Sequence, residues 1–391
     1  MSDLSYMEKL LDGVEVEWRE LGSALVRTKG TNITARRMKT LHKEYAPLKI
    51  FAGGRTVAFV DFKDIPEKDI NRKPSIIVKS RGVIGFEYYA KPFSHKNEMW
   101  SYHSTNKDIN IEYVYYYLKT KESYFQGLAS RMQMPQISTP DTDKLPIPIP
   151  PIRIQNEIVR ILDTFTELTA ELTAELTARQ QQYAYYRDQL LTFEEGEVEW
   201  KTLGEVSQYS KERIGSEQLN EKNYVGVNNL LQDKAGKENS SHVPTKGNST
   251  KYQENDILIG NIRPYLKKIW QADCTGGTNG DVLVIHITDE VVLPRYLYQI
   301  LADDNFFNYN MQYAKGAKMP RVDKSKIMDY RIPIPPLDEQ KRIVSILDKF
   351  DALTTSLTEG LPREIELRQQ QYEYYRDLLL SFPKPEVVAH D

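Results

Sequence analysis

The chain holds a single cysteine, Cys274, among 391 residues. One thiol can form no internal disulfide and no cysteine-rich zinc site, which fits a reducing, cytoplasmic setting. Histidine is also scarce: the six, at positions 42, 95, 103, 242, 286 and 390, include no pair at metal-ligand spacing, so no metal centre is expected. No apolar run approaches the roughly 20 residues of a membrane helix. The N-terminus, MSDLSYMEKLLDG, shows no basic leader followed by a long apolar stretch, so no secretory signal is expected. Catalytic motifs are missing too. There is no GxxxxGK[ST] phosphate loop and no Asn-Pro-Pro-aromatic motif of the adenine-methyltransferase kind, and Asp61-Phe62-Lys63 lacks the upstream Pro-Asp pair of a nuclease signature. No catalytic residue is expected.

The net charge of −3 looks wrong for a nucleic-acid binder until it is divided along the chain. Residues 14–146 carry 22 lysines and arginines against 15 acidic residues, and residues 196–331 carry 18 of each. The excess acid lies in 1–13, 147–195 and 332–391, so globular segments of neutral or positive charge alternate with acidic ones. DNA is not excluded.

What is present is a duplication with a period of about 185 residues, far longer than a solenoid repeat. EVEWRELG (Glu15 to Gly22) returns as EVEWKTLG (Glu197 to Gly204), and Met134-Pro135 returns as Met319-Pro320. IPIPP occurs at Ile147 to Pro151 and at Ile332 to Pro336. EIVRILDTF (Glu157 to Phe165) matches RIVSILDKF (Arg342 to Phe350), and RQQQYAYYRDQLLTF (Arg179 to Phe193) matches RQQQYEYYRDLLLSF (Arg368 to Phe382). Between these landmarks, 23–133 and 205–318 share almost no run of identities. Connectors kept alike beside globules left to differ imply one assembly surface and two recognition tasks.

The connectors have the 3/4 apolar spacing of long coiled-coil helices. In the first the stripe includes Ile158, Leu162, Phe165, Leu172, Leu176 and Tyr183; in the second, Ile343, Leu347, Phe350 and Tyr372; these are read as partner-binding and spacer positions. IPIPP is read as a proline stop, and the first helix is expected from about Arg153 to Phe193. Its middle, TAELTAEL (Thr169 to Leu176), repeats every four residues, about one helical turn. The second connector is four residues longer between its matching ends, and Gly360-Leu361-Pro362 predicts a break and restart there. The expected fold is α+β: an N-terminal helix (1–13), globular α/β domains at 14–146 and 196–331, and helical spacers at 147–195 and 332–391. The spacers are expected to pack as two long antiparallel coiled-coil helices, giving a pseudo-twofold internal repeat.

Basic loops close the strand-like runs. In the first globule PSIIV leads into Lys79, Ser80, Arg81 and Gly82, an exposed turn where cations can meet phosphate or a base edge; a plain solvated turn is the alternative. In the second, DILIGNIRPYLKKI presents Asn261, Arg263, Tyr265, Lys267 and Lys268, with Thr278 and Asn279 in the Gly/Thr cluster that follows. Asn can read adenine and Arg guanine, while Lys mostly neutralises phosphate. Arg131, Gln133 and Gln136 flank the first Met-Pro, and Lys315, Lys318 and Arg321 flank the second. Tyrosine runs such as Tyr113 to Tyr117 are read as core or seam rather than base-stacking platforms, and His95, His103 and Cys274 as ordinary fold residues.

The IPIPP and EIVRILD elements, duplicated around two variable regions, resemble those of the Type I restriction-modification specificity subunits (HsdS). The TAEL repeat and RQQQYxYYRDxLLxF ends are similar to the type IC branch in particular. The resemblance implies that each globule is a target recognition domain reading one half of a bipartite, asymmetric site in double-stranded DNA, with the helices setting the gap. It also implies two modification (methyltransferase) subunits and two restriction (translocase and nuclease) subunits as partners. S-adenosylmethionine, ATP and Mg would then belong to those partners and no cofactor to this chain. Two other classes compete. An enzyme acting on DNA alone needs a constellation of activated groups, and none is visible. A coiled-coil adaptor explains the helices but not two dissimilar globules with basic loops.

Overall fold

The computed structural model describes residues 13–14, 16–130, 134–355 and 359–383; the expected N-terminal helix falls almost wholly outside them. Two compact units emerge, one joining Met1–Glu171 to Glu366–Asp391, the other comprising Leu172–Ile365. Each therefore contains one globule, the start of the connector that leaves it and the end of the other connector.

The first globule is built on nine strands: β1 (Glu17–Glu20), β2 (Val26–Thr28), β3 (Leu48–Phe51), β4 (Val57–Val60), β5 (Ser75–Lys79), β6 (Gly85–Tyr89), β7 (Phe93–His95), β8 (Trp100–His103) and β9 (Pro146–Ile149). Its main sheet is antiparallel in the order β2-β8-β5-β6, and a smaller sheet runs β4-β3-β7. Strand β5 is buried on both faces, and its side chains alternate as pleating requires. Ile76 and Val78 pack with Tyr113, Val114, Tyr117 and Leu118 of the helix Ile111–Thr120, while Ile77 points the other way to Phe51, Phe93 and Met99. Asn110 caps that helix by accepting from the amides of Glu112 and Tyr113. The tyrosine run is core, as the helical spacing implies.

The second globule contains β10 (Glu199–Thr202), β11 (Ser207–Tyr209), β12 (Arg213–Gly215), β13 (Tyr224–Val225), β14 (Asn248–Tyr252), β15 (Ile257–Gly260), β16 (Ile269–Gln271), β17 (Gly276–Thr278), β18 (Val282–Ile287), β19 (Ala314–Lys315), β20 (Arg321–Val322) and β21 (Arg331–Ile334). Its main sheet, β11-β18-β15-β16, repeats the order of the first. In β15, Ile257 and Ile259 face Tyr296 and Leu297 of the helix Pro294–Leu301, and Leu258 faces Tyr252 and Trp270. Two sequences with almost no shared identities thus bury one plan, because alternation and volume rather than particular side chains define it.

The IPIPP segments do more than stop a helix. Each forms a strand that pairs antiparallel with the EVEW segment of its own globule, Trp18 opposite Pro148 and Trp200 opposite Pro333. A two-stranded ribbon leaves open edges where a missing proline N–H costs no ladder bond. The seat beside each ribbon is duplicated. The hydroxyl of Tyr113 donates to the Pro148 carbonyl at 3.0 Å, and that of Tyr296 to the Pro333 carbonyl at 3.1 Å. Gln155 and Gln340, both fully buried, make matching sets of three hydrogen bonds to backbone.

The first connector is one helix of 40 residues, Ile152–Leu191, about 60 Å long at ~1.5 Å per residue. The second breaks where expected, into Leu337–Thr354 and Gly360–Leu379. Gly360 has φ +75°, and a Cβ on it would lie 2.4 Å from the Ala352 carbonyl oxygen, so glycine is required there. Pro362 falls in the first turn of the restarted helix, where its absent N–H has no partner to lose.

Within each unit the two connector segments run antiparallel and meet through aromatics. Phe165 stacks on Tyr375 at 5.3 Å, and the equivalent Phe350 stacks on Tyr186 at 5.8 Å and on Tyr183 at 5.6 Å. The Tyr183 hydroxyl also donates to Asp351 at 2.6 Å, and Tyr372 packs against the core of the first unit. The stripe divides by depth. Ile158, Leu162, Ile343 and Leu347 are fully buried in the globule cores and have no surface left for a partner subunit. They anchor each helix to its globule, which corrects their reading as partner-binding residues. Leu172 and Leu176 are half-buried, while Leu168, Tyr185 and Tyr374 are exposed.

Candidate nucleic-acid interface

At the end of β5 the chain turns through Ser80, Arg81 and Gly82 and pairs with the segment after Met134-Pro135. The Gly82 amide donates to the Pro135 carbonyl at 2.9 Å, the Ile137 amide to the Ser80 carbonyl at 3.0 Å, and Arg81 bridges to Gln136. The Arg81 guanidinium also donates to the Gln136 side-chain oxygen at 3.2 Å. A third loop joins them, since the Gly54 amide donates to the Arg81 carbonyl at 3.0 Å. Arg55 is exposed beside it, a cation the sequence reading passed over.

The second globule builds the same junction at the end of β15. Ile262 bridges to Arg321, and the Arg263 amide donates to the Pro320 carbonyl at 2.8 Å. Ile262 thus stands where Arg81 stands in the first globule, and Arg263 where Gly82 stands. The Asn261 amide donates to the Asp281 carbonyl at 2.8 Å, and the Asp281 carboxylate pairs with Arg321 at 2.8 Å. Beyond Arg263, a single 3-10 turn (Pro264–Leu266) is flanked by two left-handed residues, Arg263 at φ +53° and Lys267 at φ +48°.

The sequence-named residues now separate into those that hold the loops and those that face outward. Ser80 is buried and its hydroxyl donates to the Glu98 carbonyl; Thr278 is buried and donates to the Val225 carbonyl at 2.5 Å. Asn261 is only 6% exposed, and its side-chain oxygen has no hydrogen-bond partner among the described residues. These three are turned inward, contrary to their reading as DNA contacts. Lys79 pairs with Glu87 at 2.6 Å, alongside Lys49 at 3.0 Å on the same carboxylate. Burial pushes the Glu87 carboxyl upward, but the two lysines outweigh it and hold it below its ordinary range.

Lys267 likewise shares Asp304 with Lys234, at 2.9 and 3.1 Å, and there too the lysines outweigh a burial effect to keep the carboxyl low. Lys268 donates to the Val227 carbonyl at 2.6 Å, and burial draws its ammonium below the usual lysine range. Asn279 accepts the Asp281 amide at 3.1 Å and stays half-buried. Arg81, Arg263, Tyr265, Lys315, Lys318 and Arg321 are exposed, and Gln136 is half-exposed. Arg131 and Gln133 lie outside the described residues. The acidic partners Glu87, Asp281 and Asp304 were missed because nothing local in the sequence marks them as counter-charges.

Elsewhere, Asp61 is tied to Lys43 as a surface ion pair. His95 is buried in the fold and Cys274 is half-buried. Among the described residues no cluster of His, Cys, Asp or Glu could hold a metal ion, and no helix is long and apolar enough to cross a membrane.

This duplicated geometry has known counterparts. The chain matches the family described as Type I restriction modification DNA specificity domain over residues 32–179 and again over 195–367. It is 38% identical to the Type I restriction enzyme EcoR124I/EcoR124II specificity subunit of Escherichia coli, over 100% of both chains. The chain belongs to the Type I restriction-modification specificity family. A second relative in that family, the Type I restriction enzyme EcoprrI specificity subunit of Escherichia coli, is 30% identical over 92% of this chain and 93% of its own. The fold is similar to that of the S subunit of a Type I restriction-modification system from M. genitalium, with TM-score 0.62 and 16% identity over 95% of this chain and 98% of that one. As a Type I specificity subunit, the protein supplies DNA sequence specificity and is the non-catalytic member of its system. The two stretches matched by the family fall one on each repeat, so the bridged loops at β5 and β15 are equivalent parts of two specificity domains.

Proposed function

We propose that the domains at 14–146 and 196–331 each read one half of a bipartite, asymmetric DNA site, and that the helical spacers at 147–195 and 332–391 set the unread gap. The observation that carries this reading is the duplicated junction: one sheet order and one set of backbone bridges, displaying different outward side chains in the two repeats. Arg81 and Gln136 offer amide and guanidinium groups in the first; Arg263, Tyr265 and Arg321 offer a different set in the second. Guanidinium and amide groups are the usual readers of base edges, while Lys315 and Lys318 suit phosphate.

On this reading the partners are two methyltransferase subunits, which methylate adenine N6, and two restriction subunits, all working in the cytoplasm. S-adenosylmethionine, ATP and Mg bind to those partners and not to this chain. Exposed side chains along the first connector, Leu168 and Tyr185 among them, offer such partners a surface. Methylome sequencing of a host carrying the locus tests the proposal: two half-sites at a fixed gap are expected. A single uninterrupted motif, or methylation or cleavage by the purified chain alone, overturns it.

A further inference from the structure

The two bridged junctions differ at one backbone position in a way that ordinary packing does not require. Gly82 and Arg263 occupy equivalent places, each donating its amide to the carbonyl of the proline in the Met-Pro landmark, at 2.9 and 2.8 Å. Both have left-handed backbones, at φ +80° and +53°. Glycine adopts that region without penalty, whereas an L-residue with a side chain pays for it. The second repeat nevertheless carries arginine where the first shows that glycine serves.

The strain gains nothing within the fold. Arg263 is exposed, and its guanidinium makes no hydrogen bond or ion pair among the described residues. Lys267, the other left-handed residue flanking the same 3-10 turn, is the contrast: its ammonium is pinned by Asp304 at 2.9 Å and ties the turn to the start of the helix Asp304–Gln312. The backbone amides of Asp233 and Lys234 fasten to Leu266 and Lys267 at 3.0 Å each, so the turn is braced from outside and holds Arg263 in place. A braced loop with a strained, unpartnered guanidinium at its tip fits a residue kept for an external ligand.

We infer that Arg263 is the specificity-determining side chain of the second recognition domain, donating two hydrogen bonds to the O6 and N7 of one guanine in its half-site. The inference rests on the DNA-reading assignment proposed above and adds the base and the residue. A guanidinium forks onto those two acceptors in the major groove, and no other base presents that pair. The first domain has no side chain at the corresponding position, so its reading relies on other groups, Arg81 among them.

The test uses the complex reconstituted with its methyltransferase subunits and a DNA library randomised across both half-sites. The first repeat supplies the informative variant: Arg263→Gly keeps a backbone that glycine favours, so its thermal midpoint is expected to equal or exceed that of the parent. Preference for guanine at one position of one half-site should fall by about 10- to 100-fold, with the other half-site unchanged. Arg263→Lys, which keeps the charge but loses the fork, should lose the same preference while retaining the salt dependence of binding. Uniform weakening across all sequences would make Arg263 a phosphate contact and overturn the inference, as would an unchanged motif. A parent complex that shows no half-sites overturns the DNA-reading assignment itself, and the inference with it.

Discussion

Gln155 holds the capping loop of a recognition-domain helix: its side-chain oxygen accepts the Asn110 amide at 2.9 Å while its nitrogen donates to the carbonyls of Asp108 and Pro150 at 2.9 and 2.7 Å. The residue sits in the first turn of the connector and is fully buried. Gln155→Leu removes all three bonds and leaves buried polar groups unpaired. A loss of about 2–4 kcal/mol is expected from that mechanism, measured by denaturant unfolding. Gln340→Leu should cost the second unit a comparable amount.

The connector length should be written into the DNA motif. Inserting one further Thr-Ala-Glu-Leu after Leu176 lengthens the helix by about 6 Å, close to two base pairs at ~3.4 Å each. Sequencing of methylated sites should return both half-sites unchanged with the gap widened by one or two base pairs. An unaltered gap would separate helix length from spacing.

His95 predicts a pH dependence. The Lys96 carbonyl, 3.2 Å from Nδ1, can only accept, so Nδ1 carries the proton and Nε2 accepts from the Ser101 hydroxyl at 3.3 Å. Burial lowers the histidine pKa in the folded protein and outweighs the opposing Lys96 and Glu98 effects. The unfolded chain then takes up the proton first, so stability is full above the ordinary histidine pKa of about 6.5 and falls as pH drops through it. His103, also lowered mainly by burial, adds in the same direction. Thermal midpoints across pH 5 to 8 should show the decline, and His95→Gln should flatten it.

The break in the second connector should tolerate little at Gly360. Gly360→Ala places a methyl group 2.4 Å from the Ala352 oxygen in a left-handed backbone. A destabilisation of at least ~1–2 kcal/mol is expected, against a smaller effect for Pro362→Ala. Calorimetry on the full chain compares the two.

The long helices and the break were legible because a 3/4 apolar stripe and a Gly-Leu-Pro step are local signals. The duplication made the shared architecture legible as well, since the landmarks recur in order. IPIPP was read only as a helix stop, and its partner strand lies some 130 residues upstream, beyond any local pattern. The loops after β5 and β15 stand out in the sequence by their basic residues, yet Ser80 and Thr278 face inward, held by the carbonyls of Glu98 and Val225, which only the folded chain brings near. Lysines 79 and 267 look free in the sequence for the same reason: Glu87 and Asp304 reach them across strands and loops.

The pairing of Trp18 with Pro148 and of Trp200 with Pro333 brings the two ends of each globule side by side. What lies between those ends is therefore a cassette hung from a short clasp. Mutations accumulating inside it need not propagate into the struts, provided the clasp and the buried glutamine behind it persist. On the proposed reading, one half of the target can thus drift, or be exchanged whole, while the other half and the assembly surface stay as they were.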